Sequence, residues 1–306
     1  MSRTATVVSG RNNIFRVHYG ERELLCRIKG KSLKLEERAY NPLAPGDEVV
    51  LESVDLEQGE AVIADRLPRR NEFARLNLKR DTPQTLGANI DLVVAVMSAT
   101  LPAFRPAFVD RVLATASFFE IDAALVITKT DLDERGAEVW REEFATIGYP
   151  TVLLDAQSPQ RLEALRALLA EKRSLLVGQS GVGKSTLLNR LAGREVQRVG
   201  SISDRYNRGT HTTNAGILHT IGSAELIDTP GIREIDCSLI PHDQLDLHYI
   251  EFYPTLTECM MRNCTHLHEP ECAVMAAVAR GAISSRRYDS YAKLHEDVRV
   301  SQEDRY

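Results

Sequence analysis

Residues 178–185 read Gly-Gln-Ser-Gly-Val-Gly-Lys-Ser, and the rest of the chain can be understood from this run. It fits the phosphate-binding loop pattern G-x-x-x-x-G-K-[ST], in which backbone N–H groups and a helix N-terminus surround phosphate oxygens. The apolar run at 174–177 predicts a buried strand before the loop, and 186–191 predicts a helix after it. We therefore expect an α/β domain that binds nucleotide phosphates through Gly178, Gln179, Ser180, Gly181, Val182, Gly183, Lys184, Ser185 and Thr186.

Two side chains of the loop have predicted roles of their own. Lys184 is expected to reach the β- and γ-phosphates and to act in catalysis by stabilising negative charge. The Ser185 hydroxyl is expected to bind Mg²⁺. The alternative is a glycine-rich turn that only opens a helix. The strand, the helix, the lysine and the serine together favour the phosphate site.

The composition is that of an ordinary soluble globular protein. The chain has 306 residues, of which 43% are apolar and 26% charged, and this length suggests two or three domains. No run approaches the roughly 18–20 consecutive apolar residues of a membrane helix, and residues 1–10 lack a signal-peptide pattern. We expect a cytoplasmic protein that has no membrane association and is a monomer.

The chain divides into four regions by its sequence pattern. Residues 1–70 contain five short runs of partial apolar alternation, which predicts an all-β barrel of the OB type, and residues 71–87 are expected to be a polar linker. Residues 88–240 alternate between strands and helices, which predicts a mainly parallel sheet with helices on both faces. Residues 241–306 predict a small α-helical domain around a group of cysteines and histidines. The expected fold class is therefore multidomain.

Charge is distributed unevenly along the chain. The net charge is −5, yet residues 1–80 hold 15 lysines and arginines against 12 acidic residues. A basic N-terminal surface indicates an anionic partner such as RNA. A solvated surface with a chance imbalance explains the same numbers.

The sequence Thr128-Lys129-Thr130-Asp131 follows a predicted strand and is a variant of the guanine-reading element Asn-Lys-x-Asp. The Asp131 carboxylate can accept hydrogen bonds from guanine N1–H and the 2-amino group, whereas adenine offers no such pair of donors. The stem of Lys129 is expected to cover the base. Thr128 replaces the usual asparagine, and its hydroxyl can still hold the neighbouring backbone. These residues favour GTP, and an ATPase is the alternative.

Two further segments are typical of nucleotide switches. Asp228-Thr229-Pro230-Gly231 fits D-x-x-G, in which Asp228 holds Mg²⁺ through water and the Gly231 N–H meets the γ-phosphate. Gly209-Thr210-His211-Thr212-Thr213 lies before it, and either Thr212 or Thr213 is expected to complete the coordination of Mg²⁺. Asp155-Ala156 stands where GTPases place a Ser-Ala backbone contact to the base.

The order of these segments is permuted. The base-reading segment comes first here, followed by the phosphate loop, the switch threonines and D-x-x-G, whereas ordinary GTPases have the base-reading segment last. A permuted chain can build the same sheet when the original termini lie close together. Everything after residue 231 is then attached to the nucleotide-sensing switch, which gives nucleotide state a route to the C-terminal region.

The barrel, the permuted nucleotide domain and the cysteine-rich end together resemble the ribosome small-subunit-dependent GTPase A family (RsgA, also called YjeQ). The resemblance covers nearly the whole chain and rests on residues 178–186, 209–213 and 228–231 and on the cysteine–histidine spacing. It implies hydrolysis of GTP to GDP and phosphate, stimulation by the small ribosomal subunit, and a role in the late maturation of that subunit. It also implies rRNA as a partner.

The residue that orients the attacking water is not obvious from the sequence. Many GTPases have glutamine directly after D-x-x-G, but Ile232 stands there. His211 is the candidate for this catalytic role, as the family resemblance also suggests, and an exposed histidine on a mobile loop is the alternative. Ile232 also keeps open a second function, a non-enzymatic RNA-binding protein in which GTP is only a conformational ligand.

The spacing Cys259-x₄-Cys264-x-His266-x₅-Cys272 supplies three thiolates and an imidazole. Clustered cysteines in a cytosolic protein favour a metal over disulfides, and this set suits a closed structural Zn²⁺ site. His268 is an alternative to His266, and the family pattern favours His266. Buried free cysteines beside exposed histidines are the other explanation. The expected cofactors are therefore GTP or GDP, Mg²⁺ and Zn²⁺.

Overall fold

The computed structural model describes residues 3–11, 13–30, 42–77, 81–155, 158–197 and 216–304. Within these ranges the chain forms a β-barrel, a hairpin, a six-stranded sheet covered by helices, and a helical C-terminal region. No helix in the described ranges combines the length and the apolar character that crossing a bilayer requires. The multidomain fold class expected from the sequence is confirmed.

The N-terminal barrel follows the OB-type order β1-β2-β3-β5-β4. Strands β3 and β5 pair in parallel, and the other neighbours, including the closing pair β1 and β4, are antiparallel. Val7, Val17, Leu24, Val49 and Ile63 fill the interior and are almost fully buried. The strands are β1 (Thr4–Arg11), β2 (Ile14–Tyr19), β3 (Arg22–Ile28), β4 (Glu48–Asp55) and β5 (Glu60–Arg66).

The segment expected to be a polar linker contains regular structure. An antiparallel hairpin is formed by β6 (Glu72–Asn77) and β7 (Thr82–Ala88). The side chain of Phe73 is fully buried, and its ring centroid lies 6.4 Å from that of Phe119. The pairing register shifts between Phe73 and Ala74, with Leu86 of β7 as the extra residue, and these two neighbours of β6 are both buried. The period-two signal of a strand is therefore lost in the sequence.

Gly46 joins the barrel to the rest of the molecule. Its φ is +90°, and a Cβ at this position would lie 2.2 Å from the carbonyl oxygen of Ala88. Both facts require glycine. The Arg173 guanidinium donates to the carbonyl oxygen of Gly46 at 2.8 Å and also pairs with Glu48 at 3.3 Å. The barrel is thereby held against the hairpin and against the first residue of β11.

The central sheet has the strand order β10-β9-β8-β11-β13-β12. Neighbouring strands are parallel except for β12, which pairs antiparallel with β13, so the mainly parallel sheet is confirmed. The strands are β8 (Leu92–Ser98), β9 (Asp122–Thr128), β10 (Thr151–Leu153), β11 (Arg173–Val177), β12 (Ile217–Ile221) and β13 (Ala224–Asp228). The helices of this part are α1 (Pro106–Phe118), α2 (Glu134–Ile147), α3 (Pro159–Leu169) and α4 (Lys184–Ala192).

Helices cover both faces of the sheet, and β8 shows how the two cores are divided. Val93, Ala95 and Met97 belong to the core shared with α1 and α2, whereas Val94 and Val96 belong to the core shared with α3 and α4. Successive side chains of a strand point to opposite faces, so a strand between two helical layers is apolar throughout. This arrangement places the carboxyl ends of the parallel strands at one edge of the sheet.

Local signals set the starts of two helices near that edge and the end of one of them at the opposite edge. The Asp133 carboxylate accepts from the Gly136 N–H at the start of α2, and Gly148 ends this helix in the left-handed region at φ 113°. Ser158 caps α3 by accepting from the Arg161 N–H at 3.4 Å, with Pro159 as the first helical residue. A serine cap followed by proline is a common start of an α-helix.

The C-terminal region contains short helices followed by one long helix. Residues His242–His248 form a 3₁₀-helix within the region expected to be α-helical, and a second 3₁₀-helix spans Ile250–Phe252. Tyr249 and Phe252 are fully buried at this junction. The α-helices are α5 (Tyr253–Leu256), α6 (Ala273–Ala279) and α7 (Ser285–Glu303).

A buried cluster of charges joins α7 to the sheet domain. Arg287 is 1% exposed and binds Asp110 of α1 at 2.6 Å and Glu251 at 2.5 Å. Arg286 pairs with Asp110 and with Glu143 of α2, both at 2.6 Å. Burial alone would lower the pKa of Arg287, but Asp110 and Glu251 outweigh it and raise that pKa. We call these five residues the arginine cluster.

Candidate functional site

The phosphate loop connects β11 to α4 at the carboxyl edge of the sheet. A Cβ on Gly178 would lie 2.3 Å from the carbonyl oxygen of Val96, so the loop leaves the sheet through a space that admits only glycine. Gly181 and Gly183 have φ values of +82° and +97°, a backbone region that glycine adopts without strain. Helix α4 begins at Lys184 with no side-chain cap from the described residues. Its first N–H groups are therefore available to an anion.

Lys184 is buried inside this loop. Its ammonium donates to the carbonyl oxygens of Gly178 at 2.7 Å and Gln179 at 3.1 Å. Burial lowers the pKa of Lys184, and the charge of Asp228 opposes this effect. Ser185 is half-buried and Thr186 is exposed on the same helical turn. The loop thus holds a cation against the segment that ends β13.

Asp228 is the acidic group at the end of β13. It is 4% exposed, and its Oδ1 has no hydrogen-bond partner among the described residues. Burial raises the pKa of Asp228 to about 6, although the Lys184 ammonium acts in the opposite direction. A buried carboxylate oxygen without a donor is unfavourable unless a cation or water satisfies it. This oxygen fits the requirement of a hydrated Mg²⁺ ion.

The residues after Asp228 lie directly on the phosphate loop. The Ile232 N–H donates to the carbonyl oxygen of Gly178 at 3.1 Å, and the Gln179 side chain donates to the carbonyl oxygen of Arg233 at 3.1 Å. A Cβ on Gly231 would lie 2.7 Å from the Ser180 nitrogen, which permits only glycine. The sequence singled out Gly231 but did not predict the contact of the Gln179 side chain.

The segment 128–131 also reaches the phosphate loop, from the neighbouring side of β8. The Thr128 hydroxyl donates to the carbonyl oxygen of Val182 at 2.5 Å across 54 residues of chain. Lys129 adopts φ +56°, and its ammonium donates to the carbonyl oxygens of Gly181, at 2.8 Å, and Leu101. Two segments that are distant in sequence therefore form one site.

Asp131 lies at the exposed rim of this site. It belongs to a 3₁₀-helix, Thr130–Leu132, in which Thr130 is almost fully buried. The Arg161 guanidinium donates to the Thr130 hydroxyl at 3.0 Å and to the Asp155 carboxylate at 3.1 Å. Sequence reasoning missed Arg161, and no local pattern marks it. Ala156 lies outside the described residues.

Three predicted switch residues are not part of the described structure. His211, Thr212 and Thr213 fall between the ranges that end at residue 197 and begin at residue 216. The described chain resumes at Gly216, where a Cβ would lie 2.8 Å from the carbonyl oxygen of Asp228. The predictions for these three residues remain predictions.

The predicted metal ligands come together in the C-terminal region. The ligand atoms of Cys259, Cys264, His266 and Cys272 all lie within 4.8 Å of one another. The His266 Nδ1 lies 3.5 Å from the Cys259 sulfur and 3.4 Å from the Cys272 sulfur. Tetrahedral ligands at about 2.0–2.3 Å from a zinc ion are spaced by roughly 3.3–3.8 Å, so these distances fit. His268 is exposed and is not a member of this group.

Contacts around the four residues fix their orientation. The second nitrogen of His266, Nε2, lies 3.4 Å from a carboxylate oxygen of Asp246. Such a partner fixes the ring and raises the basicity of the nitrogen that faces a metal. The Tyr288 and Tyr291 hydroxyls donate to the carbonyl oxygens of His266 and Thr265 at 2.7 and 2.8 Å. The cluster is thus tied to α7.

Comparison with known proteins agrees with this geometry. A sequence profile described as RsgA GTPase matches residues 66–238. The chain belongs to the RsgA GTPase family. It is 34% identical over 296 residues to the small ribosomal subunit biogenesis GTPase RsgA of Borreliella burgdorferi, covering 96% of this chain and 95% of that protein. Its identity to the protein of the same name from Chlorobaculum parvum is 36% over 308 residues, covering 97% and 98%.

Solved structures show the same architecture. The crystal structure of YjeQ from Thermotoga maritima gives a TM-score of 0.75 at 28% identity, covering 97% of this chain and 99% of that one. YloQ, described as a circularly permuted GTPase, gives a TM-score of 0.73 at 25% identity, covering 100% and 96%. The family resemblance and the permuted order expected from the sequence are confirmed. The chain is a GTP-hydrolysing enzyme, and its family implies GTP or GDP and Mg²⁺ as ligands.

Proposed function

We propose that this enzyme converts GTP to GDP and phosphate on the small ribosomal subunit, which stimulates the reaction, during the late maturation of that subunit. The contact of Lys129 with Gly181 is the main structural support, because it combines a base-reading segment and a phosphate loop in one site. The relatives carry the name small ribosomal subunit biogenesis GTPase. The barrel and the C-terminal region hold rRNA in this proposal, and the protein works in the cytoplasm as a monomer.

The nucleotide is held at two ends. Asp131 accepts from guanine N1–H and the 2-amino group, while Lys129 covers the base and Thr128 fixes the segment to the phosphate loop. At the other end, Lys184 and the backbone N–H groups of 178–186 bind the phosphates. Selectivity for guanine follows because adenine would leave the Asp131 carboxylate without its donors.

The residues suited to Mg²⁺ are Ser185, Asp228 through a water molecule, and either Thr212 or Thr213. A bound Mg²⁺ ion neutralises charge on the β- and γ-phosphates. The chain's own contribution is to present Ser185 at the start of α4 and to keep the carboxylate of Asp228 buried and close to Lys184.

Hydrolysis needs a group that orients the attacking water. Ile232 is buried and apolar, so it cannot hold water. We assign this role to His211, with Lys184 stabilising the charge on the transferred phosphoryl group. Because one orienting residue sits on a switch segment, we expect slow intrinsic turnover, below the roughly 1–100 s⁻¹ of efficient phosphoryl-transfer enzymes, and stimulation by the small subunit.

The four residues Cys259, Cys264, His266 and Cys272 form a closed ligand set for a structural zinc ion. A metal at this place would join the segment with Cys259 and Cys264 to Cys272 at the start of α6. Metal content measured by elemental analysis tests this assignment. One zinc per chain is expected, with loss in Cys264→Ser and retention in Cys26→Ser, whose thiol is buried in the barrel. Full zinc in Cys264→Ser would contradict the ligand set.

The enzymatic proposal is tested by phosphate release with and without small ribosomal subunits. We expect stimulation in the wild type and its loss in Lys184→Ala. Lys172→Ala, at the opposite end of β11, is the matched control and should behave like the wild type. Absence of stimulation, or equal rates in Lys184→Ala, would refute the proposal. Displacement of bound GTP by ATP as effectively as by GTP would refute guanine selectivity.

A further inference from the structure

We propose that Arg161 is a positioning residue for guanine recognition, because its guanidinium links the segment that carries Asp131 to the end of β10. The inference rests on the proposed role of residues 128–131. It goes further by assigning part of the selectivity for guanine to a side chain of α3 that makes no predicted contact with the nucleotide.

The contacts of Arg161 join three segments of the chain. One nitrogen of its guanidinium donates to the Thr130 hydroxyl at 3.0 Å and to the Asp155 carboxylate at 3.1 Å. The other terminal nitrogen donates to Glu134 at 3.2 Å. The side chain of Glu134 is 74% exposed, whereas that of Asp155 is 17% exposed and Thr130 is almost fully buried. The two inner contacts are therefore the ones shielded from water.

Among the described residues, few hydrogen bonds hold the segment with Asp131 before Asp133, which caps α2. The 3₁₀-helix Thr130–Leu132 has three residues and no side-chain cap from the described part of the chain. Its N-terminal side is held by Lys129, which adopts a left-handed conformation and binds the loop at Gly181. Its other support is the Thr130 residue itself, through the N–H to the carbonyl oxygen of Leu154 at 3.2 Å and through the hydroxyl to Arg161.

The carboxylate of Asp155 explains why an arginine is suited to position 161. It stands where GTPases commonly have serine, and its carboxylate accepts from Arg161 and from the Ser158 N–H. The Arg190 guanidinium of α4 donates to the Asp155 carbonyl oxygen. A guanidinium offers several donors in one rigid plane, so Arg161 can satisfy a hydroxyl and a carboxylate together, which a lysine cannot do with the same geometry. The base-reading segment is thus connected to the helix that starts at the phosphate loop.

By holding this segment, Arg161 sets the direction in which the Asp131 carboxylate points. Two hydrogen bonds to guanine require both carboxylate oxygens to face the base edge, whereas inosine lacks the 2-amino group and uses one. If the segment tilts when Arg161 is removed, the hydrogen bond from the guanine 2-amino group to Asp131 is lost first. Loss of such a bond changes affinity by roughly five- to thirty-fold. Discrimination between GDP and IDP is therefore the property that Arg161 controls.

The experiment measures the Kd of GDP and of IDP by calorimetry, and kcat and KM for GTP, in four proteins. These are the wild type, Arg161→Ala, Thr130→Val and the control Arg166→Ala. Arg166 lies on the same helix and donates to the carbonyl oxygens of Arg190 and Leu191 instead. We expect Arg161→Ala and Thr130→Val to lower the preference for GDP over IDP by about five- to thirty-fold. KM should rise while kcat at saturation stays unchanged, and the control should match the wild type.

The outcomes separate the inference from the proposed function. A wild type that binds GDP and IDP equally would refute the role of Asp131 itself. A wild type that discriminates, with the same discrimination in Arg161→Ala, would refute only the inference. If Arg161→Ala does not fold, Thr130→Val carries the test, because it removes the acceptor and keeps the shape. A lower melting temperature with unchanged discrimination would mean that Arg161 is merely structural and would also overturn the inference.

Discussion

Replacement of Thr128 by valine tests the link between the base-reading segment and the phosphate loop. The Thr128 hydroxyl lies 2.5 Å from the carbonyl oxygen of Val182 and 3.1 Å from that of Met97, and both of these residues are fully buried. A hydroxyl has one hydrogen, so the shorter bond to Val182 dominates. Valine keeps the shape but removes the donor, and a buried acceptor left without a partner costs about 1–3 kcal/mol.

Water has little room to replace the hydroxyl. A Cβ built on Gly183 would lie 3.6 Å from the Thr128 oxygen, so the two segments are in close contact. Since the bond joins the two halves of the nucleotide site, we expect most of the loss to appear in binding. The Kd for GDP should then rise between about 5-fold and 100-fold, because 1.4 kcal/mol corresponds to a tenfold change.

Calorimetric titration with GDP, together with urea unfolding of the same samples, separates binding from folding. Thr115→Val is the matched control, because its buried hydroxyl donates to the Arg111 carbonyl oxygen at 2.7 Å within α1. It should lose stability without any change in Kd. An unchanged Kd in Thr128→Val, with a stability loss equal to that of the control, would refute the proposed link.

Three other expectations follow from the geometry. Since burial raises the pKa of Asp228 to about 6 and the proposed Mg²⁺ role needs the ionised form, kcat/KM should fall as the pH drops through 6. More Mg²⁺ should move this limb to lower pH, and a flat profile would contradict the assignment. Gly231→Ala forces the switch segment off the phosphate loop, because its Cβ would lie 2.7 Å from backbone, so GTP hydrolysis should fall about 100-fold. Gly222→Ala is the control: its Cβ meets no atom within 4 Å, although φ +61° costs some stability, so it should keep its rate, and a fully active Gly231→Ala would contradict the proposed steric effect. Arg287→Met should lower the free energy of unfolding by about 3–5 kcal/mol, because the largely buried Glu251 would lose both of its hydrogen bonds to Arg287 and Asp110 would keep only Arg286. Arg299→Met is the control, because the ion pairs of Arg299 lie on the same helix but are exposed to solvent. If urea unfolding shows equal losses of stability in the two variants, burial of the Arg287 pairs has no special role.

Local signals in the sequence were sufficient for much of the fold. The five barrel strands lie within residues 1–70, and helices such as Glu134–Ile147 alternate with strands after residue 88, as their patterns predict. For the helix, Asp133 and Gly148 explain this success, because a side-chain cap and a left-handed glycine fix its ends within a few residues. The phosphate loop was equally visible, since its function requires particular residues at consecutive positions.

The features that the sequence did not reveal depend on distant partners. Asp110 and Arg287 are 177 residues apart, and neither has a neighbour in sequence that marks it as buried. Arg161 likewise depends on Thr130, 31 residues earlier. The register shift in the β6–β7 hairpin leaves the neighbours Phe73 and Ala74 both buried, so the alternation typical of a strand is absent from the sequence there. Contacts of this kind become visible only when the chain is folded.

The arginine cluster gives the C-terminal region a second attachment besides the polypeptide that leads into it. Chain connectivity joins that region to the residues behind Gly231, whereas Arg286 and Arg287 join it to α1 and α2 on the outside of the sheet. Because it is attached at two places, the region with the cysteine–histidine cluster can move relative to the sheet in fewer directions. A displacement that begins at Gly231 meets α1 already at Cys237, whose sulfur lies 3.5 Å from the Thr115 hydroxyl, so it must be absorbed before that residue or move α1 as well.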